Sequence, residues 1–144
     1  MSGFTGQNAP VLTAIVTLAA ACVDVAQAGV AELPNRRLGA SVTLGGGNPR
    51  RHATGGAWIR NQNFMVSFSY RVEGAEAATE TALCNAVDAF TDALISDPTL
   101  GGLVNGATAD NSLADNPEYS TWTNQERRIY PVLVTVLQNA SIPI

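Results

Sequence analysis

Residues 64–96, FMVSFSYRVEGAEAATETALCNAVDAFTDALIS, join two different periodicities across one short break. Phe64, Val66, Phe68, Tyr70 and Val72 alternate with Met65, Ser67, Ser69 and Arg71. That two-residue period belongs to a strand with one face in the core and the other mostly polar. From Ala75 the period changes. Ala82, Leu83, Ala86, Val87, Phe90 and Leu94 recur at spacings of three and four, the buried stripe of a helix reaching Ser96. Glu73, Glu76 and Glu80 fall in or near its first turns, where the helix dipole favours negative charge. Asp97-Pro98 ends it, because proline keeps the preceding residue out of the helical region. Asp97 can also cap the turn that Pro98 opens, before Gly101-Gly102 reverses the chain.

Working outward from this strand–helix unit, Leu38, Ala40, Val42 and Leu44 alternate with Gly39, Ser41 and Thr43 as a shorter strand. Gly45-Gly46-Gly47-Asn48-Pro49 then reads as a turn or mobile loop. A second extended piece begins at Trp58-Ile59, with Asn61-Gln62-Asn63 as its edge or a bend. Toward the N-terminus, Pro10 suits the first turn of a helix, where its missing N–H costs nothing. Leu12, Ile15, Val16, Ala19, Val23 and Ala26 form one apolar stripe, flanked by a second at Val11, Leu18, Cys22 and Val25. These stripes predict a helix reaching Gly29, either presenting one face to a partner subunit or buried wholly in its own domain. Toward the C-terminus, Val104 to Arg128 reads as a polar connection with room for one short edge strand. Tyr130, Val132, Val134 and Val136 then mark one face of a last strand ending near Leu137, with Pro131 at its start or on an edge.

Two amphipathic helices and a mainly antiparallel, mixed sheet give an α+β fold whose simplest burial is two layers. Residues 1–9 are a flexible arm, 10–138 one domain and 139–144 a tail; the spacing of the strands leaves room for one parallel crossover.

The 144 residues suffice for one domain. Apolar residues make up 46% of the chain and charged ones 14%, against about 25% in ordinary soluble domains. Twelve acids, eight arginines, one histidine and no lysine leave a net charge of -4. That apolar fraction excludes a disordered chain, and the acidity argues against a broad basic face held on nucleic acid. Two cysteines, Cys22 and Cys84, are too few for a disulfide framework and read as free buried thiols. Met1 to Val23 carries no charged side chain, but its apolar part, Ala9 to Val23, is shorter than the roughly 20 residues of a membrane span. It also lacks the basic start of a secretory signal, so neither a membrane segment nor a leader is expected.

The catalytic inventory is thin. His52, the one histidine, sits after Arg50-Arg51 in a loop and reads as a solvated or interface group. Cys84 has no histidine at a spacing that would activate it. The cysteines and histidine are too scattered for zinc, and Asp110 and Asp115 lack the ordered ligand spacing of a calcium loop. Asp88 and Asp92 are the solvent face of their helix, and the glycine run lacks the ending of a phosphate-binding loop. No catalytic, cofactor-binding or metal residue is expected. A basic segment with Trp58, Phe64, Phe68 and Tyr70 nearby suggests a nucleic-acid module, but alternation sends the last three aromatics toward the core.

Charge order says more. Residues 33–72 contain Arg36, Arg37, Arg50, Arg51, Arg60 and Arg71 and no acid, whereas residues 73–126 contain ten acids and no base. These segments either neutralise each other within one domain or form complementary faces between copies. A heterologous contact of the second kind closes into a ring or continues as a filament.

The passage VSFSYRVEGAEAATETALCNAVDAFTDALISDPTLGGLVNG, residues 66–106, resembles the tail terminator or tail-completion (neck) proteins of long-tailed bacteriophages. Its strand, amphipathic helix and Asp97-Pro98 turn, followed by a last strand at Tyr130–Val136, match that family in order. The resemblance implies a non-enzymatic virion subunit, assembled in the host cytoplasm into a hexameric ring in the tail or neck. That ring would cap the tail-tube protein, stop polymerisation, meet the head–tail connector protein and let genomic DNA pass without sequence readout. No membrane is involved. Arg50, Arg51 and His52 are the first interface candidates and Arg127 and Arg128 the second. Another head–tail joining or tail-tube subunit is the nearest alternative, and a small-molecule-binding domain a more distant one.

Overall fold

The computed structural model describes residues 3–29, 37–51, 56–72, 74, 76–122 and 125–142. In chain order these residues form α1 (Asn8–Ala20), β1 (Val25–Ala28), β2 (Leu38–Arg51), β3 (Ala57–Arg71), α2 (Glu76–Ser96), β4 (Gly106–Asp110), a short 3-10 turn (Ser112–Ala114), β5 (Glu118–Trp122) and β6 (Gln125–Ser141). The six strands make one mixed sheet in the order β1-β2-β3-β6-β4. β5 lies beside the first part of β6 and β4 beside its later part, so both share one edge. The only parallel pair among the described residues is β1 with β2. This is the α+β, two-layer architecture that the two periodicities require.

The core follows from the alternation. Phe64, Val66 and Phe68 of β3 stand beside Val134, Val132 and Tyr130 of β6, and Val66 and Phe68 beside Val42 and Ala40 of β2, whereas Leu44, opposite Phe64, is exposed. Both helices cover this face, α1 with Val11, Ile15 and Ala19, α2 with Leu83, Ala86, Val87, Phe90 and Leu94. The Phe90 ring meets the edge of Phe68 at 5.5 Å between centroids and 67°, the preferred aromatic geometry. Asp97 accepts the Gly101 N–H at 2.9 Å, fastening the turn after α2. Leu100, Gly101 and Gly102 there take positive φ, which costs glycine little.

Four local expectations are corrected. First, α1 ends at Ala20, and Val25–Ala28 form an edge strand instead of a last helical turn. The apolar spacing fits either structure over so short a run, and β-branched valines favour the strand. Gly29, at φ +84°, ends that strand and donates to the Val42 carbonyl at 2.8 Å. Second, the glycine run is no turn: β2 passes through it to Arg51, with a bulge between Leu44 and Gly47. Third, the polar connection holds two short strands, and β6 starts at Gln125 and runs on to Ser141. Pro131 therefore lies inside β6, opposite Ser67, at the gap where β5 has stopped and β4 has not begun. A missing donor is tolerated where the sheet edge is broken. Fourth, the thiols are free but not buried: Cys22 is half-buried just past α1, and Cys84 is exposed on α2.

Candidate functional site

β2, β3 and β6 are longer than the layer of helices needs, and their far ends form a ribbon. Gly47–Arg51 pairs with Trp58–Gln62, which pairs with Val136–Ala140. The face that carries Phe64 and Val134 nearer the core turns polar here: the in-phase positions are Gln62, Arg60 and Trp58 on β3 and Gln138 and Ala140 on β6. Gln62 and Gln138 are nonetheless 4% and 1% exposed. Buried amides need partners, and the start of α1 supplies them. Asn8 accepts from Gln138 Nε2 at 2.8 Å and from Arg60 Nη2 at 3.1 Å, and donates to Gln62 Oε1 at 3.3 Å. Arg60 Nε donates to Gln138 Oε1 at 2.7 Å, and its guanidinium lies 4.3 Å from the Phe4 ring centroid. Burial lowers the Arg60 pKa from its ordinary value, yet arginine remains a cation in water near neutrality. Gln7 closes the arrangement by donating to the Asn139 carbonyl at 2.8 Å. Residues 3–8 are thus fastened across the ribbon.

Beyond this network the ribbon ends in cations. Arg50 and Arg51 are exposed on the last residues of β2, with Arg51 stacked 5.4 Å from the Trp58 ring across the pair. No carboxylate pairs with either among the described residues. His52 and Arg36 lie outside the described residues.

Arg127 and Arg128 are placed differently. Consecutive strand residues point to opposite faces, and both guanidinium groups end inside the subunit. Arg127 is 0% exposed; it donates from Nε to Ser69 Oγ at 3.1 Å and from Nη2 to the Ser69 and Arg37 carbonyls at 3.2 Å. Its pKa is pushed down by burial first and by the nearby Arg71 charge second. Arg128, 5% exposed, reaches Glu80 of α2 with Nε 3.1 Å from Oε2, off line for a hydrogen bond, while Nη2 donates to Oε1 at 3.2 Å. Its Nη1 donates to the Ile129 carbonyl. The ion pair ties α2 to the sheet, and the structure does not bring Arg127 or Arg128 together with Arg50 and Arg51.

Asp88 and Asp92 are both exposed on α2, as a solvent face requires. Asp110 accepts the Ser112 N–H at 2.9 Å, and that bond lowers its pKa. Among the described residues, no group of three or more His, Cys, Asp and Glu is placed to hold a metal ion. No helix among them is long and apolar enough to cross a membrane. No protein-family model matches the chain, and no curated protein matches it.

The Arg60 network was not anticipated, although its signal is in the sequence. Gln62 and Gln138 continue the phase of Phe64–Val66–Phe68 and Val132–Val134–Val136, so both amides had to face whatever covered those side chains.

Proposed function

We propose that the chain is a non-enzymatic structural subunit of a long-tailed phage virion, a tail terminator that assembles into a ring, caps the tail tube and offers its opposite face to the head connector. The observation that carries the reading is the pair of exposed cations, Arg50 and Arg51, without a carboxylate among the described residues, at the end of a ribbon projecting from a two-layer domain. A terminator needs such a division: a rigid core, and surfaces held away from it that meet identical copies and dissimilar neighbours. The sequence resemblance over residues 66–106 supports the same role, since its strand, helix and Asp97-Pro98 turn occupy β3, α2 and the turn after it.

The test mixes the purified chain with growing tail tubes and follows them by electron microscopy. A ring-shaped cap at one end and arrested elongation are expected. Unchanged tube length with no bound cap overturns the proposal, and unlimited tubes formed by the chain alone make it a tail-tube subunit instead.

A further inference from the structure

β1 and β4 stand at opposite edges of the sheet, and no strand among the described residues pairs with the outer side of either. One contact sets the hydrogen-bonding direction along both. Gly29 donates to the Val42 carbonyl, so Val42 faces β1, and alternation carries that phase through the register to β6 and β4. The N–H and C=O groups of Ala26 and Ala28 in β1, and of Ala107 and Ala109 in β4, consequently point out of the sheet. Native sheets block such edges with proline, charge or bulges. Where β2 runs past β1 it has both a bulge after Leu44 and Pro49, and where β6 runs past β4 the Asn139 carbonyl is taken by Gln7. β1 (VAQA) has no such device, and β4 (GATAD) has only the charge of its last residue, Asp110.

The two edges match. β1 is parallel to β2 and each later pair is antiparallel, so β1 and β4 run in opposite directions. A second copy laid beside the first, helices on the same side, therefore brings its β1 antiparallel to β4. With Ala26 opposite Ala109 and Ala28 opposite Ala107, four outward N–H groups meet four outward carbonyls. The alanine methyls lie on the helix side, in phase with Val42 and Val134, and are too small to clash. Gln27 and Thr108 fall opposite each other on the other side, where amide and hydroxyl can bond. Beside β4, a recess of about 200 Å³ opens between Thr91, Leu94 and Ile95 of α2 and Ala107–Ala109, and Ile95 is 70% exposed. The incoming copy brings α1 to that side, a helix with no charged residue. We propose that β4 of one copy pairs with β1 of the next, so that the sheets run on from subunit to subunit. Ala26 is level with Phe68 through Ala40, and Ala109 with Phe64 through Val134, so each joint staggers the copies by four residues along β3. Closing a sheet into a barrel requires such a stagger. Two different edges meet, so the contact is heterologous, and a closed ring leaves neither edge free. This rests on the self-assembling subunit proposed above and names the edges that join it.

The test uses the full-length chain in sedimentation velocity. The wild type associates with rising concentration. Ala26→Pro and Ala109→Pro each delete one outward N–H that the subunit's own ladder does not use, so circular dichroism shows a folded chain and association weakens at least about ten-fold. Each variant keeps one sound edge, β4 in Ala26→Pro and β1 in Ala109→Pro, so their equimolar mixture stops at dimers. A second measurement needs no proline. Residues 27 and 108 form a non-hydrogen-bonded pair across the joint, within disulfide reach. Gln27→Cys/Thr108→Cys therefore oxidises to disulfide-linked oligomers, and neither single variant does; this result decides where a proline unfolds the chain. A wild type that stays monomeric, a folded proline variant that associates like the wild type, a mixture that grows past dimers, or a double variant that links no more than the single ones overturns the proposal. The tail-tube assay separates the two readings. Caps formed equally well by both proline variants leave the terminator standing and remove this joint. Disulfide-linked oligomers without caps on tubes do the reverse.

Discussion

Gly47→Ala changes stability in opposite directions according to whether residues 45–49 are a mobile loop or part of a strand. In a loop, alanine at a compatible backbone conformation stabilises by about 0.4–1 kcal/mol, because the unfolded chain has fewer states to lose. In β2 the added Cβ arrives 2.5 Å from Gln62 Oε1 and 3.2 Å from its Cδ. A free amide would swing aside, but this one is fixed. Gln62 Nε2 lies 2.8, 3.2 and 3.1 Å from the Gly45, Gly46 and Asn63 carbonyls, and Oε1 accepts from Asn8. An amide nitrogen has two protons for those three acceptors, and moving it strands buried polar groups at about 1–3 kcal/mol. Gly47 has no positive φ, so the cost is contact and not backbone strain. Gly46→Ala is the internal control, since nothing lies within 4 Å of its Cβ. Urea unfolding of both variants at one pH decides the matter. The expected result is a lower midpoint for Gly47→Ala, with unchanged slope, and an unchanged or higher one for Gly46→Ala. A Gly47→Ala chain as stable as the wild type would refute the bulged-strand reasoning.

Two further outcomes follow. The Asp110 carboxyl titrates below its ordinary value because its anion accepts from Ser112; stability from that bond is present above the unfolded pKa and lost as pH falls through the folded one. Asp110→Asn should therefore lower the urea midpoint slightly near neutrality and leave it unchanged in strong acid, and a gap that persists in acid refutes this. Cys84 is exposed, whereas Cys22 is half-buried, donates to the Leu18 carbonyl at 3.4 Å and has its pKa raised by burial. An alkylating reagent near neutral pH should thus label Cys84 first by mass spectrometry, and equal labelling rates count against the placement of Cys22.

The parts of the fold readable from sequence are those with a long, clean period. Fifteen residues of β3 and twenty-one of α2 leave no room to confuse a period of two with one of 3.6. Four-residue β1 offers no such margin: Val23 and Ala26 fit the helical stripe before them, and only the pairing with Gly39–Val42 settles their structure. The glycine run misleads for a different reason. Glycine is common in turns because it tolerates positive φ, but Gly45 and Gly47 are needed here for space. A Cβ at Gly45 would lie 3.1 Å from the Asn63 carbonyl oxygen and one at Gly47 against Gln62. Close approach across a ladder leaves no mark in a single chain's local sequence.

Charge order along the chain has to be divided before it bears on assembly. Arg60 is spent on Asn8, Gln138 and Phe4, Arg127 on Ser69 and a backbone carbonyl, and Arg128 on Glu80. Arg128 meets Glu80, an acid of the 73–126 segment, in an ion pair across the two layers, so part of the opposite charge is neutralised within the domain. Asp88 and Asp92 of α2 and Asp110 at the end of β4 stay at the surface. A long strand explains the imbalance. β2 begins in the helix-covered layer and runs on into the ribbon, so its two terminal arginines stand exposed at the ribbon's end. Exposed like charges at one end of a subunit and exposed opposite charges on its flank repel a copy that docks end to end and attract one that docks end to flank. Such a pattern favours an ordered, heterologous contact over a two-fold one, because a two-fold axis through the ribbon ends would set arginine against arginine.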